Sequence, residues 1–215
     1  MKSFFLSLAV MFCLSANAQI YLRNYEVSSS DKVVGGITAT RTPEGDYVRY
    51  DVSSEVSMRI LFEVNVSYKV QAIYKSGILV SSSATIYLNG NVQNNVNCER
   101  TGDHYTVVAD GHTTRIYEDI KWSSALLYFN KPKDTRKIFS ETEGAFKDLS
   151  ETADGKFKLK DSEKESNVNT YTFSSDQGLQ TIIIERSLLP TLKVTGVRQV
   201  KLDKDKPEEE VESEK

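Results

Sequence analysis

The feature that most constrains the fold is an alternation of apolar and polar side chains over residues 60–74. The even-numbered positions carry apolar or aromatic side chains, and most odd-numbered positions between them are polar. A period of two is typical of a β-strand with one buried and one solvated face, as in an antiparallel sheet covered on one side. At about 3.3 Å per residue the run would extend roughly 50 Å, so we expect the strand to bend or to contain a β-bulge.

The same alternation recurs along most of the chain, interrupted by short turn signals. Residues 47–56 and 78–88 have strand patterns, and Asn89-Gly90 is the strongest two-residue signal for a hairpin. Because the connections are mostly of hairpin length, neighbouring strands should be antiparallel. The sequence therefore predicts an all-β fold, an antiparallel meander of about 10–12 strands that forms an open, curved half-barrel or a barrel.

One segment breaks this rhythm. Residues 119–137 lack the period of two, and Ser123 is a candidate N-cap for the helix formers that follow it. We expect one short helical segment here that acts as a lid over the apolar face of the sheet. The lid either leaves an apolar concavity, which would suit a hydrophobic ligand, or fills that space with its own aromatic side chains.

The candidate ligand-binding residues are the apolar side chains that would face the concavity from the long strand and from the lid. They are Phe62, Val64, Val66, Tyr68, Trp122, Leu126, Leu127, Tyr128 and Phe129.

Residues 1–18 have the features of a secretory signal peptide. The positive end Met1-Lys2 precedes an apolar stretch at residues 4–14, and Ala16-Asn17-Ala18 is a small-residue cleavage site. We therefore expect cleavage after Ala18 and export to the periplasm or the cell exterior. The apolar stretch is shorter than the ~20 residues that span a bilayer, and no transmembrane segment is predicted elsewhere.

The rest of the chain predicts one domain and a tail. Strand patterns continue without a linker over residues 19–200, whereas residues 201–215 are highly charged, poor in apolar side chains and expected to be disordered. After removal of the leader, Cys98 is the single cysteine, so no internal disulfide is expected. The net charge of −3 lacks the basic excess of nucleic-acid-binding proteins, so nucleic acid is not a predicted partner.

Motifs for catalysis or metal binding are absent from the sequence. His104 and His112 lie beside predicted turns, and there is no His-Glu-x-x-His, no cysteine pair and no Gly-x-Ser-x-Gly. Glu141 and Glu143 are a candidate acid–base pair, but we interpret both as solvated surface because the chain has 30 acidic residues. We predict no catalytic residue, no metal and no cofactor, and we favour a protein that is not an enzyme.

Several short motifs occur in a fixed order between residues 20 and 196. They include Tyr25-Glu26-Val27, Gly36-Ile37-Thr38-Ala39, Tyr74-Lys75-Ser76-Gly77, Asn89-Gly90 and Leu127-Tyr128-Phe129-Asn130-Lys131-Pro132. In this order they resemble an uncharacterised family of exported bacterial proteins, typical of Bacteroidetes, with a domain of unknown function. The predicted architecture is also similar to open half-barrels of the lipoprotein-carrier type, which hold acyl chains under a helical lid. Neither resemblance implies an established activity.

Three functional hypotheses follow. The leading one is an exported, non-catalytic binding or carrier protein of the cell envelope for a hydrophobic or amphipathic, lipid-like ligand. The alternative is a structural or assembly factor that binds another envelope protein and has no small-molecule ligand. The third is an enzyme that depends on the shape of a cleft rather than on a standard catalytic set. The predicted partners are therefore a hydrophobic small molecule or lipid, or an envelope protein.

Overall fold

The computed structural model describes residues 19–59, 62–161, 167–176, 178–187 and 189–203. The predicted signal peptide at residues 1–18 lies outside the described residues, as do Ile60 and Leu61 of the alternating run and residues 204–215 of the predicted tail. Residues 201–203, at the start of the predicted tail, belong to the last β-strand instead.

The described residues form fourteen β-strands and one short helix. The strands before the helix are β1 (Gln19–Ser29), β2 (Lys32–Glu44), β3 (Tyr47–Arg59), β4 (Glu63–Lys75), β5 (Ile78–Leu88), β6 (Asn91–Thr101), β7 (His104–Ala109) and β8 (His112–Ile116). The helix α1 spans Ser124–Leu127. The strands after it are β9 (Lys137–Ser140), β10 (Ala145–Glu151), β11 (Phe157–Lys160), β12 (Val168–Phe173), β13 (Leu179–Glu185) and β14 (Leu192–Asp203). None of the helical structure in these ranges has the length and apolar character that crossing a bilayer requires.

All fourteen strands belong to one antiparallel sheet. Its order is β8-β7-β6-β5-β4-β3-β2-β1-β14-β13-β12-β11-β10-β9, so the first and last strands pair in the middle of the sheet. The edge strands, β8 and β9, are the two that flank the segment containing α1, and they leave the sheet open. The predicted all-β meander with one short helical segment is confirmed, with fourteen strands instead of 10–12.

The alternating run forms β4, a strand of 13 residues. Val70 and Ala72 are buried, whereas Gln71 between them is exposed, as a period of two requires. The pairing of β4 with β5 shifts register between Ile73 and Tyr74, which is the expected β-bulge. Such bulges increase the local twist of a strand and help a long sheet to curl.

The connections between strands alternate between two ends of the sheet because each strand is antiparallel to its neighbours. We call one end the upper end; it holds the β1–β2, β3–β4, β5–β6, β9–β10 and β13–β14 connections. The opposite end, the lower end, holds the β2–β3, β4–β5 and β6–β7 connections and both ends of the segment at residues 117–136, which joins β8 to β9.

This segment packs on the inner, apolar face of the sheet. Near the lower end, the Leu79 amide donates to the Ile120 carbonyl (2.9 Å), and the Tyr105 hydroxyl donates to the Leu79 carbonyl (2.8 Å). Farther along, the Phe139 amide donates to the Trp122 carbonyl (3.0 Å). Helix α1 then contacts β3, β4 and β9, so the segment reaches into the space that the sheet surrounds.

The β9–β10 connection folds against the inner face of β6 and β7. Asn94 Nδ2 donates to the Thr142 carbonyl (2.7 Å). Gly144 has a φ of +67°, and a Cβ at this position would lie 2.6 Å from Cγ1 of Val107 and 3.1 Å from Cγ1 of Val96. A glycine is therefore required here both by the backbone conformation and by the close approach of the opposite part of the sheet.

We expect Gly144→Ala to lower the free energy of unfolding more than Gly155→Ala does. Both glycines have positive φ, but a Cβ on Gly155 would meet nothing within 4 Å. The left-handed backbone should cost each variant about 1–2 kcal/mol, and overpacking should cost Gly144→Ala about 1–3 kcal/mol more. Urea denaturation measures both values, and equal losses would show that the β9–β10 connection does not pack as described.

Candidate functional site

A cavity of about 220 Å³ lies between the inner face of the sheet and α1. Its walls come from α1, from the β9–β10 connection and from strands on both sides of the β1–β14 pair. The aliphatic part of the lining consists of Val52, Val70, Ile86, Leu159, Ile182 and Ile184. Exposed Glu143 also belongs to the lining, so the cavity reaches the protein surface at the upper end.

Glu141 is the most deeply buried charged side chain of the described residues, with 1% of its surface exposed. Its Oε2 accepts a hydrogen bond from the Ser124 amide and its Oε1 accepts one from the Ala125 amide, both 3.1 Å long. These amides belong to the first turn of α1 and have no partner within the helix. Ser123 is the N-cap residue, as predicted, but its side chain makes no capping hydrogen bond. Glu141 therefore caps α1 from another part of the chain.

The environment of Glu141 has opposing effects on its pKa. Burial in the apolar interior raises the pKa above the usual value, and the hydrogen bonds from the α1 amides lower it. Burial prevails, so the folded protein binds the Glu141 proton more tightly than a solvated glutamate does.

Three tyrosine hydroxyls form a polar part of the cavity lining. The hydroxyls of Tyr68 and Tyr128 lie 2.9 Å apart, and Asn169 Nδ2 donates to the Tyr171 hydroxyl (3.3 Å). Burial raises the pKa of Tyr68 to about 12 and raises the pKa of Tyr128 and of Tyr171. All three are therefore neutral at physiological pH, and each hydroxyl can donate or accept a hydrogen bond. Asn169 Oδ1 is buried and has no hydrogen-bond partner among the described residues.

Two cationic side chains belong to the lining at the upper end. Lys147 is only 8% exposed, and its Nζ lies 2.5 Å from Oε1 of Glu143. Arg186 donates through Nη1 to the backbone carbonyls of Val168 (3.4 Å) and Glu185 (2.7 Å). Burial lowers the pKa of Arg186, because a guanidinium loses hydration when it is enclosed.

The C-terminal end of α1 is tied to β1. The Tyr128 carbonyl accepts hydrogen bonds from Arg23 Nη1 (2.6 Å) and from the Tyr25 hydroxyl (3.1 Å). The Arg23 guanidinium also lies over the Phe129 ring, 5.4 Å from its centroid. Glu141 and β1 therefore hold the two ends of the helix, which keeps α1 at a fixed depth beneath the cavity.

The nine sequence-predicted residues divide between the cavity and the packing around it. Tyr68 and Tyr128 line the cavity. The other seven are outside its lining: Leu126, Leu127 and Phe129 are buried, Val64, Val66 and Trp122 are half-buried, and Phe62 is 67% exposed at the upper end. Aromatic packing of Tyr128 on Tyr25 and of Phe129 on Tyr50 fills the space below the cavity.

Sequence reasoning missed most of the polar residues of the lining, among them Tyr171, Asn169 and Arg186. Tyr171, Asn169 and Arg186 carry no local motif, although Tyr171 and Asn169 are two positions apart and so share a face of β12. The interpretation of Glu143 as surface is confirmed, but that of Glu141 is wrong because the β9–β10 connection turns inward. In the described ranges, no group of three His, Cys, Asp or Glu side chains is arranged to hold a metal ion.

A larger cleft of about 990 Å³ lies at the lower end, between residues 131–136 and the β10–β11 hairpin. Lys131 Nζ is 3.9 Å from Oε1 of Glu151 and 5.3 Å from the centroid of the Phe157 ring. Lys133 and Asp134 in its wall are exposed. These polar groups are therefore solvated, whereas Glu141, Tyr128 and Tyr171 of the smaller cavity are buried. The smaller cavity is for this reason the stronger candidate for a specific site.

A family model described as a domain of unknown function, DUF6134, matches residues 25–188. The chain belongs to this family. The resemblance to a family of unknown function is thereby confirmed. Every lining residue of the cavity, from Val52 to Arg186, lies within the DUF6134 match, so the cavity belongs to the domain itself.

The fold of this DUF6134 domain is similar to that of a beta-barrel-like protein from Brucella abortus, a domain of unknown function named DUF1849. The TM-score is 0.54 with 6% sequence identity, and the match covers 86% of this chain and 98% of the other. At this identity the similarity concerns the fold alone, and it supports the barrel-like architecture. No curated protein matches the chain.

We expect the stability contributed by Glu141 to depend on pH. Because its pKa is raised in the folded protein, the folded state binds more protons than the unfolded state above the ordinary value of 4.5, and stability falls as pH rises through this window. The difference in unfolding free energy between wild type and Glu141→Gln should therefore shrink from pH 4.5 upward. Urea denaturation across pH measures this difference.

The control for this experiment is Glu99→Gln, which alters an exposed carboxylate on β6. The difference between wild type and this variant should not show the same trend. A pH-independent difference for Glu141→Gln would contradict the raised pKa of Glu141.

Proposed function

We propose that this protein is an exported binding or carrier protein of the cell envelope that holds a small hydrophobic or amphipathic ligand in the cavity above α1. The observation that supports this function is the combination of aliphatic walls and enclosed, neutral hydroxyl groups in one cavity. Small-molecule sites typically have this composition, with mostly apolar walls and a few polar groups that orient the ligand. Export is proposed from the signal-peptide features of residues 1–18.

The size of the cavity limits the ligand. Its volume is about 220 Å³, whereas an apolar cavity of about 150 Å³ is large enough for benzene and drug-sized ligands occupy about 300–1,000 Å³. The cavity therefore suits a short or medium alkyl chain. A full-length acyl chain would have to extend beyond Glu143 to the surface.

The polar groups indicate that the ligand is amphipathic. The Asn169 carbonyl oxygen is buried without a partner among the described residues, and leaving such a group unpaired costs about 1–3 kcal/mol. A ligand that carries a hydrogen-bond donor would recover this cost. The Tyr68 and Tyr128 hydroxyls, which bond to each other, offer a second polar contact that adapts to a donor or an acceptor.

The site is also held open before a ligand arrives. Glu141 fixes the first amides of α1, and the Tyr128 carbonyl is fixed by Arg23 and Tyr25. The helix therefore resists moving toward β3 and β4 to close the cavity. A preformed cavity binds with a smaller loss of conformational entropy than one that must be ordered by its ligand.

We expect Val70→Phe to abolish ligand binding and Val108→Phe to leave it unchanged. Val70 lies in the cavity wall, whereas Val108 is exposed on β7, outside the lining. Native mass spectrometry after gentle purification, together with calorimetric titration of octanol and octanoate, measures binding by the mature protein. Recovery of the bare polypeptide mass alone, with no uptake of either amphiphile by wild type, would overturn the proposed function.

A specific observation favours the alternative function, in which the protein binds another envelope protein. At the upper end, four neighbouring connections of the sheet each have an exposed apolar side chain in or next to them. We call Val92, Phe62, Val33 and Leu189 the apolar rim; they are 61%, 67%, 62% and 52% exposed, respectively. Exposed apolar side chains that gather at one end of a protein are typical of an interaction surface.

If the apolar rim binds an envelope protein, Phe62→Ser combined with Leu189→Ser should reduce cross-linking to that protein in intact cells. Val70→Phe, which alters the cavity, should leave the cross-link unchanged. Tyr117→Ser is the matched control, because Tyr117 is also 67% exposed but follows β8 at the lower end. Cross-linking of the rim variant at the wild-type level would reject this alternative.

A further inference from the structure

We propose that the ligand of this cavity is an amphipathic anion of medium chain length, whose charged end binds Arg186 and whose alkyl chain extends along the aliphatic wall. This inference rests on the proposed function and assigns the chemical class of the ligand.

The first observation is that the charged side chains around the cavity differ in whether they have a charged or hydrogen-bonding partner. The carboxylate of Glu141 is bonded to the two α1 amides, and Glu143 forms an ion pair with Lys147. Arg186 differs from these groups: no ion pair of the described residues includes it, and its hydrogen bonds are made by Nη1 to two neutral backbone carbonyls. Among the described residues, its positive charge is therefore the one in the lining without a carboxylate at ion-pair distance, and the charges of Glu143 and Asp161 act on it only from farther away.

The second observation is the geometry that a guanidinium offers. Arginine has five N–H donors in a planar fork that matches the two oxygens of a carboxylate or phosphate. With Nη1 committed to the backbone, the donors on Nε and Nη2 remain for an acceptor in the cavity. Arg186 is half-buried, and a charge that loses part of its hydration without a counter-charge at bonding distance is destabilised, so an anionic ligand bound to it would recover part of this cost.

The third observation is the apolar surface next to Arg186. Ile184 and Ile182 precede it on β13 at spacings of two, so they share a face of that strand, and both line the cavity. Leu159 on β11 and Val70 on β4 also belong to the lining. An anion at Arg186, near the upper opening, would therefore direct its alkyl chain inward along these side chains toward α1.

The volume limits the length of this chain. About 220 Å³ corresponds to roughly seven water-sized groups at about 30 Å³ each, which is close to the size of a medium-chain fatty acid. A carboxylate and a phosphate monoester share the chemistry that Arg186 would recognise, and octanoate and octyl phosphate represent the two sources. Of the two, only the singly protonated phosphate also carries an O–H donor for Asn169 Oδ1, which has no partner among the described residues.

The test is calorimetric titration of the mature wild-type chain with octanoate, octyl phosphate, octanol and octylamine. These ligands share one alkyl chain and differ in the charge of the polar end. We expect one of the two anions to bind at least about tenfold more tightly than octanol, and the tighter anion identifies the head group. Octylamine should bind most weakly, because its ammonium would lie beside Arg186.

Arg186→Gln should lower the affinity for the preferred anion about tenfold and leave the affinity for octanol unchanged. Arg186→Lys should retain part of the affinity, because a lysine keeps the charge but not the planar fork. Arg115→Gln, which removes an exposed arginine on β8, is the matched control and should bind like wild type. If Arg186→Gln does not fold, the wild-type comparison of anion with alcohol and the Arg186→Lys variant decide the question.

The outcomes separate this inference from the proposed function. Equal binding of octanol and both anions, with no effect of Arg186→Gln, would overturn the anionic ligand and leave a neutral-ligand carrier. Tightest binding of octylamine would also overturn it. Absence of binding by all four amphiphiles would overturn the proposed function, and this inference with it.

Discussion

The interior of this protein depends on the hydrogen bonds between the buried Glu141 carboxylate and the first amides of α1. A segment that leaves the sheet and enters the interior carries backbone groups that no strand can satisfy. Glu141 supplies acceptors for two of them, at 3.1 Å each. Glu141 belongs to the β9–β10 connection, and Gly144 of the same connection packs on Val107 of β7. This one connection therefore contacts both α1 and the inner face of the sheet on the opposite side.

This arrangement explains why the interior has a densely packed part and a cavity. An antiparallel sheet that is apolar on one face must bury that face, and here the segment at residues 117–136 covers the lower half of it. The edge-on contact of Tyr128 with Tyr25 and the tilted contact of Phe129 with Tyr50 occupy that half. Above α1 the walls remain separated. An apolar cavity costs stability in proportion to its volume, and this cost is one reason for proposing that the cavity binds a ligand.

The assignment of function has to come from the chemistry of this cavity. Membership of DUF6134 and the similarity to a DUF1849 protein establish the family and the architecture, and a fold can host many functions. The lining includes aliphatic side chains, neutral phenolic hydroxyls and the guanidinium of Arg186, together with the ion pair of Lys147 and Glu143. These groups are the basis of our proposal that the ligand is a small molecule with an alkyl chain and a polar, anionic end. The apolar rim lies at the same end as the opening, where ligand entry or contact with a partner would take place.

Local patterns of side chains are sufficient to predict the class of structure and the place where it changes. The alternation along β4 assigned Val70 and Ala72 to the buried face, and Asn89-Gly90 marked a hairpin, because both depend on neighbouring residues in the chain. The break in this alternation located the lid near α1. The tertiary structure alone decided which residues meet in the cavity. Tyr68 comes together with Tyr171 and Arg186 because β1 pairs with β14 and brings distant halves of the chain around one interior. A period of two specifies the face of the sheet on which a side chain lies, but it does not specify which strand will lie opposite. For that reason only the folded protein shows that Glu141 is buried and that Arg186 lies at the opening of the cavity.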